Sequence, residues 1–308
     1  MSVSGVVTGS GPGRAYRLVR HTATAAAPPW HADPAQRAVV GHTAGPLLVL
    51  GAPGTGKTST LVESVAARVA GGTHPERILV LTFGRRGAAR LRDRIEARLG
   101  ALRPDDPAPT GLRTVAEPLV RTFHGYAFGL LRRVAAERGE PAPRLLTGPE
   151  QDLLIRELLD RAGEPDDPAG WPEPLRPALR TRAFAAELRD LLLRAVERGI
   201  GPDELRRYGH QLRRAEWISA GRFLEEYAQV LALRDATAGG SVAYDYAELV
   251  RAAGALLADD PELLDAERRR LSHVYVDELP DTDPAQLDLL TLIAGEGRHL
   301  VEDRKSVV

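Results

Sequence analysis

The chain has 308 residues, of which 43% are hydrophobic, 27% charged and 5% aromatic, and its formal net charge is −1. Those proportions suit two domains, or one with a large insertion, and leave nucleic-acid binding to local patches rather than total charge. The absence of cysteine excludes disulfides and thiolate metal sites; no apolar run approaches the ~18 residues of a membrane helix, and the start "MSVSGVVTGSGPGRAYRLVR" has no signal-peptide core, so a cytoplasmic protein is expected.

Residues 1–29 are small and polar and predict a flexible arm. "WHADPAQRAVVGH" (30–42) has helical spacing with Pro34 near its start. "PLLVLGAPG" (46–54) predicts a buried strand entering a tight glycine loop. In "TSTLVESVAARVAGG" the residues Leu61, Val62, Val65 and Val69 form one helical stripe, stopped by Gly71 and Gly72. "RILVLTF" (77–83) predicts a second buried strand, and "RRGAARLRDRIEARLG" (85–100) a helix ended by Gly100. After a linker at 102–111, a short strand runs into a helix over 118–134. From 135 to 240 helical stripes dominate, broken by "EPDDPAGWPEPLRP", with no strand-like run. Strand signals return at "LSHVYVDE" (271–278) and "RHLV" (298–301). Apolar strands alternating with helices predict an α/β fold, a parallel sheet with helices on both faces. The expected division is a nucleotide-binding domain from 30–134 and 241–308, interrupted by a helical insertion at 135–240.

"GAPGTGKT" fits G-x-x-x-x-G-K-[ST] at every fixed position. The backbone of such a loop curls its N–H groups around phosphate oxygens, and side chains at Gly51, Gly54 and Gly56 would block that approach. Lys57 can reach the β- and γ-phosphates, the Thr58 hydroxyl can ligate Mg²⁺, and the helix directs its positive end at the anion. The expected ATP-binding set is Gly51, Ala52, Pro53, Gly54, Thr55, Gly56, Lys57, Thr58 and Ser59. A plain glycine-rich turn would not require a lysine where the chain has only one other, Lys305.

"HVYVDE" places Asp277 and Glu278 at the end of an apolar strand. If neighbouring strands deliver their C-terminal ends to one crevice, Asp277 faces Thr58 and holds Mg²⁺, while Glu278 polarises the attacking water. A solvated turn is the alternative. The long interval from Lys57 to Asp277 is what the helical insertion accounts for.

Six motifs in order, over about residues 30 to 303, resemble the UvrD/Rep-like superfamily 1 DNA helicases: "DPAQR" (33–37), the glycine loop, "LTFGRRGAARLRDRI" (81–95), "RTFHGYAFGLL" (121–131), "YDYAEL" (244–249) and "DELPDTDPAQ" (277–286). The arginine-rich second motif and "HGYAF" look closer to helicase–nuclease motors of the AdnAB and RecB type. The resemblance implies a RecA-like P-loop NTPase fold and an ATP-driven motor on single-stranded DNA, or DNA with a single-stranded tail. It implies 3′-to-5′ stepping, a role in repair or recombination, and a possible helicase or nuclease partner subunit. It also implies that Gln36 reads the adenine edge, with Arg37 nearby, and that Gln286 couples the nucleotide site to DNA. Thr82, Phe83, Arg85, Thr122, Phe123, His124 and Tyr126 would line the strand track. From the residues alone, core packing suits Phe83, Phe123 and Tyr126, a structural role suits His124, and Gln286 reads as an ordinary helix residue. Beyond Arg85 and Arg86, the arginines of 85–100, with Asp93 and Glu96 among them, read as a solvated, partly salt-bridged face.

Pro280 replaces the family's usual glutamine, Gly84 a threonine and Arg90 an acidic residue, and the tail "VEDRK" keeps only the valine and aspartate of the family's next motif. The family's second motor domain has no counterpart in these residues, so weak ATP binding and poor turnover are expected of the chain alone, and the tail reads as a cut or a frameshifted end. The alternative function is a non-catalytic nucleotide- or DNA-binding accessory module.

Overall fold

A computed structural model describes residues 30–102, 117–162, 169–237, 241–279, 282–295 and 299–305. The N-terminal arm, most of the 102–111 linker and Pro280 lie outside the described residues. In chain order the elements begin α1 (Pro34–Gly41), β1 (Leu47–Gly51), α2 (Lys57–Ala70), β2 (Ile78–Thr82), α3 (Arg85–Ala101), β3 (Leu119–Thr122) and α4 (Phe123–Arg138). They continue with β4 (Arg144–Leu145), α5 (Gly148–Arg161), α6 (Arg182–Glu197), α7 (Pro202–Gln211) and α8 (Ala215–Thr237). The last are β5 (Ala243–Tyr244), α9 (Tyr246–Asp259), α10 (Pro261–Arg270), β6 (His273–Asp277), α11 (Pro284–Ala294) and β7 (His299–Lys305).

Five strands form one parallel sheet in the order β1-β7-β6-β2-β3. Strand periodicity sorts its side chains. Ile78, Val80 and Tyr275 point to one face and pack with Leu61, Val62, Val65, Leu91 and Ile95 of α2 and α3. Leu79, Leu81, Val274 and Val276 point to the other and pack under α4, α9 and α11, with Leu130, Val250 and Leu289. This is the expected α/β architecture with helices on both faces, and α5 to α8 bury a separate core around Ile155, Leu188, Phe223 and Tyr227.

The edge strand departs from expectation. The apolar "LLVL" reads as buried on both faces, yet Leu48 and Leu50 are 46% and 62% exposed. Only Leu47 and Val49 pack against the helices. The sheet also continues through the charged residues to Lys305, beyond the apolar "RHLV", because β7 pairs on both sides and backbone hydrogen bonds set its extent. A further correction is β4, which lies inside the stretch read as strand-free and pairs in parallel with β5. Gly100 does not end α3, which runs to Ala101.

Helix starts follow local chemistry. The tetrapeptide D-P-A-Q occurs twice and begins a helix both times. At α1, Asp33 accepts from the Gln36 backbone N–H at 2.8 Å while Gln36 Oε1 accepts from the Asp33 N–H at 3.1 Å. At α11, Asp283 accepts from the Gln286 N–H at 2.8 Å. Proline in the first turn costs nothing there, since its missing N–H would have no helical partner.

Candidate nucleotide and nucleic-acid site

The phosphate loop leaves β1 at Gly51 and enters α2 at Lys57. Gly54 and Gly56 take φ values of 82° and 84°, a left-handed backbone that costs other residues about 1–2 kcal/mol. Gly56 has a second constraint: a Cβ there would stand 2.9 Å from Gln36 Nε2. Gly56 caps α2 with no side-chain hydrogen bond, so the first N–H groups of the helix face the loop, a geometry suited to an anion. Thr55 closes the turn through its hydroxyl to the Ala52 carbonyl at 2.8 Å. Lys57 Nζ lies across the loop, donating to the Gly51 and Ala52 carbonyls at 2.8 and 3.1 Å.

The expectation that the loop and acidic strands are neighbours is corrected, because β7 lies between them. The loop nevertheless brings Thr58 to Asp277, with Oγ1 and Oδ1 3.5 Å apart across 219 residues of sequence. Two oxygens at this spacing suit adjacent positions on a hard cation with bonds of ~2.0–2.1 Å after a small closure. Glu278 follows with φ 68°. A non-glycine residue held there stores strain of order 1–3 kcal/mol, a feature that gathers at functional positions.

Gln36 adjoins the loop, where Nε2 donates to the Thr55 carbonyl at 3.1 Å. Its amide oxygen serves the α1 cap, so edge-on contact with a base requires the side chain to leave both partners. The Ser59 hydroxyl accepts from Arg94 of α3 at 2.8 Å. Gln286 is 2% exposed, and its Oε1 has no partner among the described residues. A buried amide oxygen left in that state costs ~1–3 kcal/mol.

The sheet register aligns the remaining motifs. Thr82 pairs with Thr122 on one side and Asp277 on the other, so three motif ends share one row. Their side chains divide sharply. Phe83 is 54% exposed and Arg85 is exposed at the start of α3, so both are open to a strand. Thr82 is buried. Thr122 is buried as the N-cap of α4, accepting from the Gly125 N–H at 3.0 Å. Phe123 and Tyr126 are corrected from track to core, at 2% and 6% exposed. Their ring faces contact protein, and the Tyr126 hydroxyl donates to Glu267 at 2.6 Å. Burial first, then the Glu267 charge and hydrogen bond, push the Tyr126 phenol well above its usual range.

His124 stacks on Tyr246, ring centroids 3.8 Å apart. Its pKa is pushed down to about 4, first by burial and then by repulsion from Arg85, against a hydrogen bond with the Tyr246 backbone. It is therefore neutral at pH 7 and brings no charge to a phosphate. Tyr246 was missed as a site neighbour, although the D-x-x-E capping box of Asp245 and Glu248 marks it as the first residue of α9. Of the arginines on α3, Arg92 bonds the Val120 carbonyl at 2.9 Å and Arg98 holds both oxygens of Glu63 at 2.7 and 2.9 Å. These partners lie on other elements and tie α3 to β3 and α2, while Arg86, Arg90 and Arg94 are exposed, as expected of a solvated face.

Comparison with known proteins gives a consistent result. Residues 32–305 match the family model of the UvrD/REP helicase N-terminal domain. DNA helicase II of Escherichia coli (strain K12) is 27% identical over 262 residues, covering 85% of this chain and 31% of the relative. ATP-dependent DNA helicase UvrD1 of Mycobacterium tuberculosis (strain ATCC 25618 / H37Rv) is 27% identical over 283 residues, covering 85% and 30%. UvrD2 of Mycobacterium tuberculosis (strain CDC 1551 / Oshkosh) is 29% identical over 274 residues, covering 86% and 35%. The chain thus spans about a third of the length of these relatives. No helix among the described residues is long and apolar enough to cross a membrane.

Proposed function

Because the chain belongs to the UvrD/REP helicase N-terminal domain family, we propose that it forms the ATP-binding, DNA-engaging first motor domain of an ATP-dependent DNA translocase. The observation that carries this reading is the approach of Thr58 to Asp277 at 3.5 Å. It joins a complete phosphate loop to an acidic strand end across the helical insertion.

The proposed chemistry is phosphoryl transfer from ATP to water. The open N–H groups at the start of α2 and the backbone of residues 51–56 cradle the phosphates. Lys57 leaves the Gly51 and Ala52 carbonyls for the β- and γ-oxygens, exchanging neutral acceptors for charged ones, which make the stronger hydrogen bonds. Thr58 and Asp277 are the residues that would hold Mg²⁺, which when bound neutralises charge on the phosphate oxygens. Glu278, set by its strained backbone just past the strand, orients the water and takes its proton. Gln36 meets the base. Gln286, whose buried Oε1 lacks a partner among the described residues, serves the link between nucleotide and strand. Phe83 and Arg85 offer a stacking face and a phosphate contact to single-stranded DNA. The family resemblance gives the proposed direction, 3′ to 5′, and the proposed setting, repair or recombination. Streptavidin displacement from opposite DNA ends by a family-length protein carrying this domain reads the direction, and faster release at the 3′ end refutes it.

The test is Mg²⁺-dependent binding of a fluorescent ATP analogue to the chain. Lys57→Ala should weaken it by at least about 100-fold, and Asp277→Asn should remove its dependence on Mg²⁺. Equal affinity in all three proteins refutes the reading. A binding module without catalysis is separated by single-turnover hydrolysis with single-stranded DNA present. An enzyme loses that turnover in Glu278→Gln while keeping nucleotide affinity.

A further inference from the structure

The flank of the sheet carries a second polar feature, away from the nucleotide. Between β3 and α4 lies a cavity of about 170 Å³. One water needs only ~10–15 Å³ on this measure, so a ligand of several atoms fits. Three guanidinium groups line it, from Arg121, Arg133 and Arg270, against one carboxylate, Glu267. Arg133 also pairs with Glu137 at 3.8 Å, so counting that carboxylate the surplus is one positive charge, centred on Arg121.

The site is built before any ligand arrives. Glu267 is 2% exposed and accepts four hydrogen bonds: from Tyr126 at 2.6 Å, from Arg133 at 2.5 Å, and from Arg270 at 3.1 and 2.5 Å. Burial raises its carboxyl, but Arg270, Tyr126 and Arg133 outweigh that and hold it below the usual carboxylate range. It is therefore ionised, and it fixes two of the arginines in place, which lowers the ordering cost of binding. Arg121 is different. Among the described residues its guanidinium makes one hydrogen bond, to the Val120 carbonyl at 3.2 Å, which leaves most of its five donors available to a ligand. Gly129 lines the cavity, and a Cβ there would meet nothing within 4 Å, so a longer side chain at this position can enter the space.

We propose that this cavity is a subsite for a phosphate group, gripped by the Arg121 fork and by the outward donors of Arg133 and Arg270. Guanidinium forks match tetrahedral oxyanions, and the surplus charge disfavours cations and apolar groups. The phosphate can come from a nucleic-acid strand or from a small free phosphate. Position favours the strand, since Arg121 pairs with Leu81 across the sheet, two residues before the exposed Phe83. Only that choice of source rests on the nucleic-acid reading above.

Lys57→Ala serves as background, to silence the phosphate loop. Inorganic phosphate is titrated calorimetrically into that chain, into Lys57→Ala/Arg121→Ala, and into Lys57→Ala/Gly129→Met, which fills the cavity without removing charge. Both double variants should bind phosphate at least about tenfold more weakly. Arg121 is exposed, and matching thermal melts exclude misfolding. In parallel, anisotropy follows a labelled single strand binding to the otherwise wild-type chain and to Arg121→Ala across a salt series. A weaker affinity with a salt slope lower by about one assigns the strand as source. Unchanged strand binding with lost phosphate binding assigns a free phosphate. Unchanged phosphate affinity together with unchanged strand affinity and slope overturns the proposal.

Discussion

His124 gives a sharp test of how the β3–α4 corner is held. An unfolded imidazole takes its proton near pH 6.5, whereas the folded one does so only near 4. Between those values the unfolded chain binds more protons, so stability rises with pH. The contribution is therefore fully present above about pH 7 and is lost as pH falls through 6.5 toward 4. At about 1.4 kcal/mol per pKa unit, it amounts to about 3 kcal/mol. Asp245, Asp283 and Glu197, whose carboxyls burial raises, titrate with the opposite sign, so the raw stability curve mixes several groups. His124→Phe isolates one of them, since it keeps a ring against Tyr246 and removes the proton site. Urea unfolding of both proteins is measured from pH 8 to pH 4. The wild-type-minus-variant difference should be flat above pH 7 and fall by about 3 kcal/mol by pH 4. Arg85→Ala should make that fall smaller, because it removes a charge that disfavours imidazolium. A difference constant across the range refutes the reasoning.

Two further outcomes follow from burial and backbone geometry. Phe123→Ala should cost about 3–5 kcal/mol of stability, as for a ring deleted from a core. Phe83→Ala should leave the melt unchanged and weaken single-strand binding by about 1–3 kcal/mol; the reverse pattern would return Phe123 to the nucleic-acid surface. Gly56→Ala forces a side chain onto a φ of 84° and against Gln36 Nε2, and should weaken Mg–ATP binding at least about tenfold by fluorescence titration. Wild-type affinity there would mean that Gln36 and the loop move independently.

What the sequence conveyed depended on the range of the interaction. The glycine loop is legible because its constraints are local: backbone at Gly54 and Gly56, one lysine, one hydroxyl. Strands β2 and β6 are legible because "ILVL" and "VYV" are buried on both faces. The same signal misleads at β1, since an apolar strand reads alike at the edge and the centre of a sheet, and strand order is a tertiary property. It fails also at Phe123 and Tyr126. Aromatic residues after a strand suit a stacking platform and a helix packed on the sheet equally well, and the packing of α4 against α9 decides between them. Glu267 gave no signal, because "DAERRR" reads as a solvated helix end; burial against Tyr126 and Arg133 emerges only when α10 meets α4. Two-residue β4 is beyond any periodicity.

The last strand bears most directly on the site. Among the described residues β1 pairs with β7 alone, through five residue pairs from Leu47↔Val301 to Gly51↔Lys305. β7 joins β6 on its other side. At ~4.8 Å per strand, β1 and β6 stand about 10 Å apart, so the loop reaches Asp277 only by arching over the end of β7. Truncation before His299 removes every ladder bond of β1. Helix α2 keeps other anchors, the Ser64–Tyr275 hydrogen bond at 3.2 Å and the Arg98–Glu63 pair, so its packing survives while the loop loses its support. At ~0.5–1.5 kcal/mol per net hydrogen bond, the loss is several kcal/mol, concentrated at one edge. Amide exchange at Leu47–Gly51 should become fast while the α4, α9 and α11 amides stay protected, and Mg–ATP affinity should fall by at least about 100-fold. Retained affinity in the truncated chain would show that α2 alone positions the loop, and would remove β7 from the account of the site.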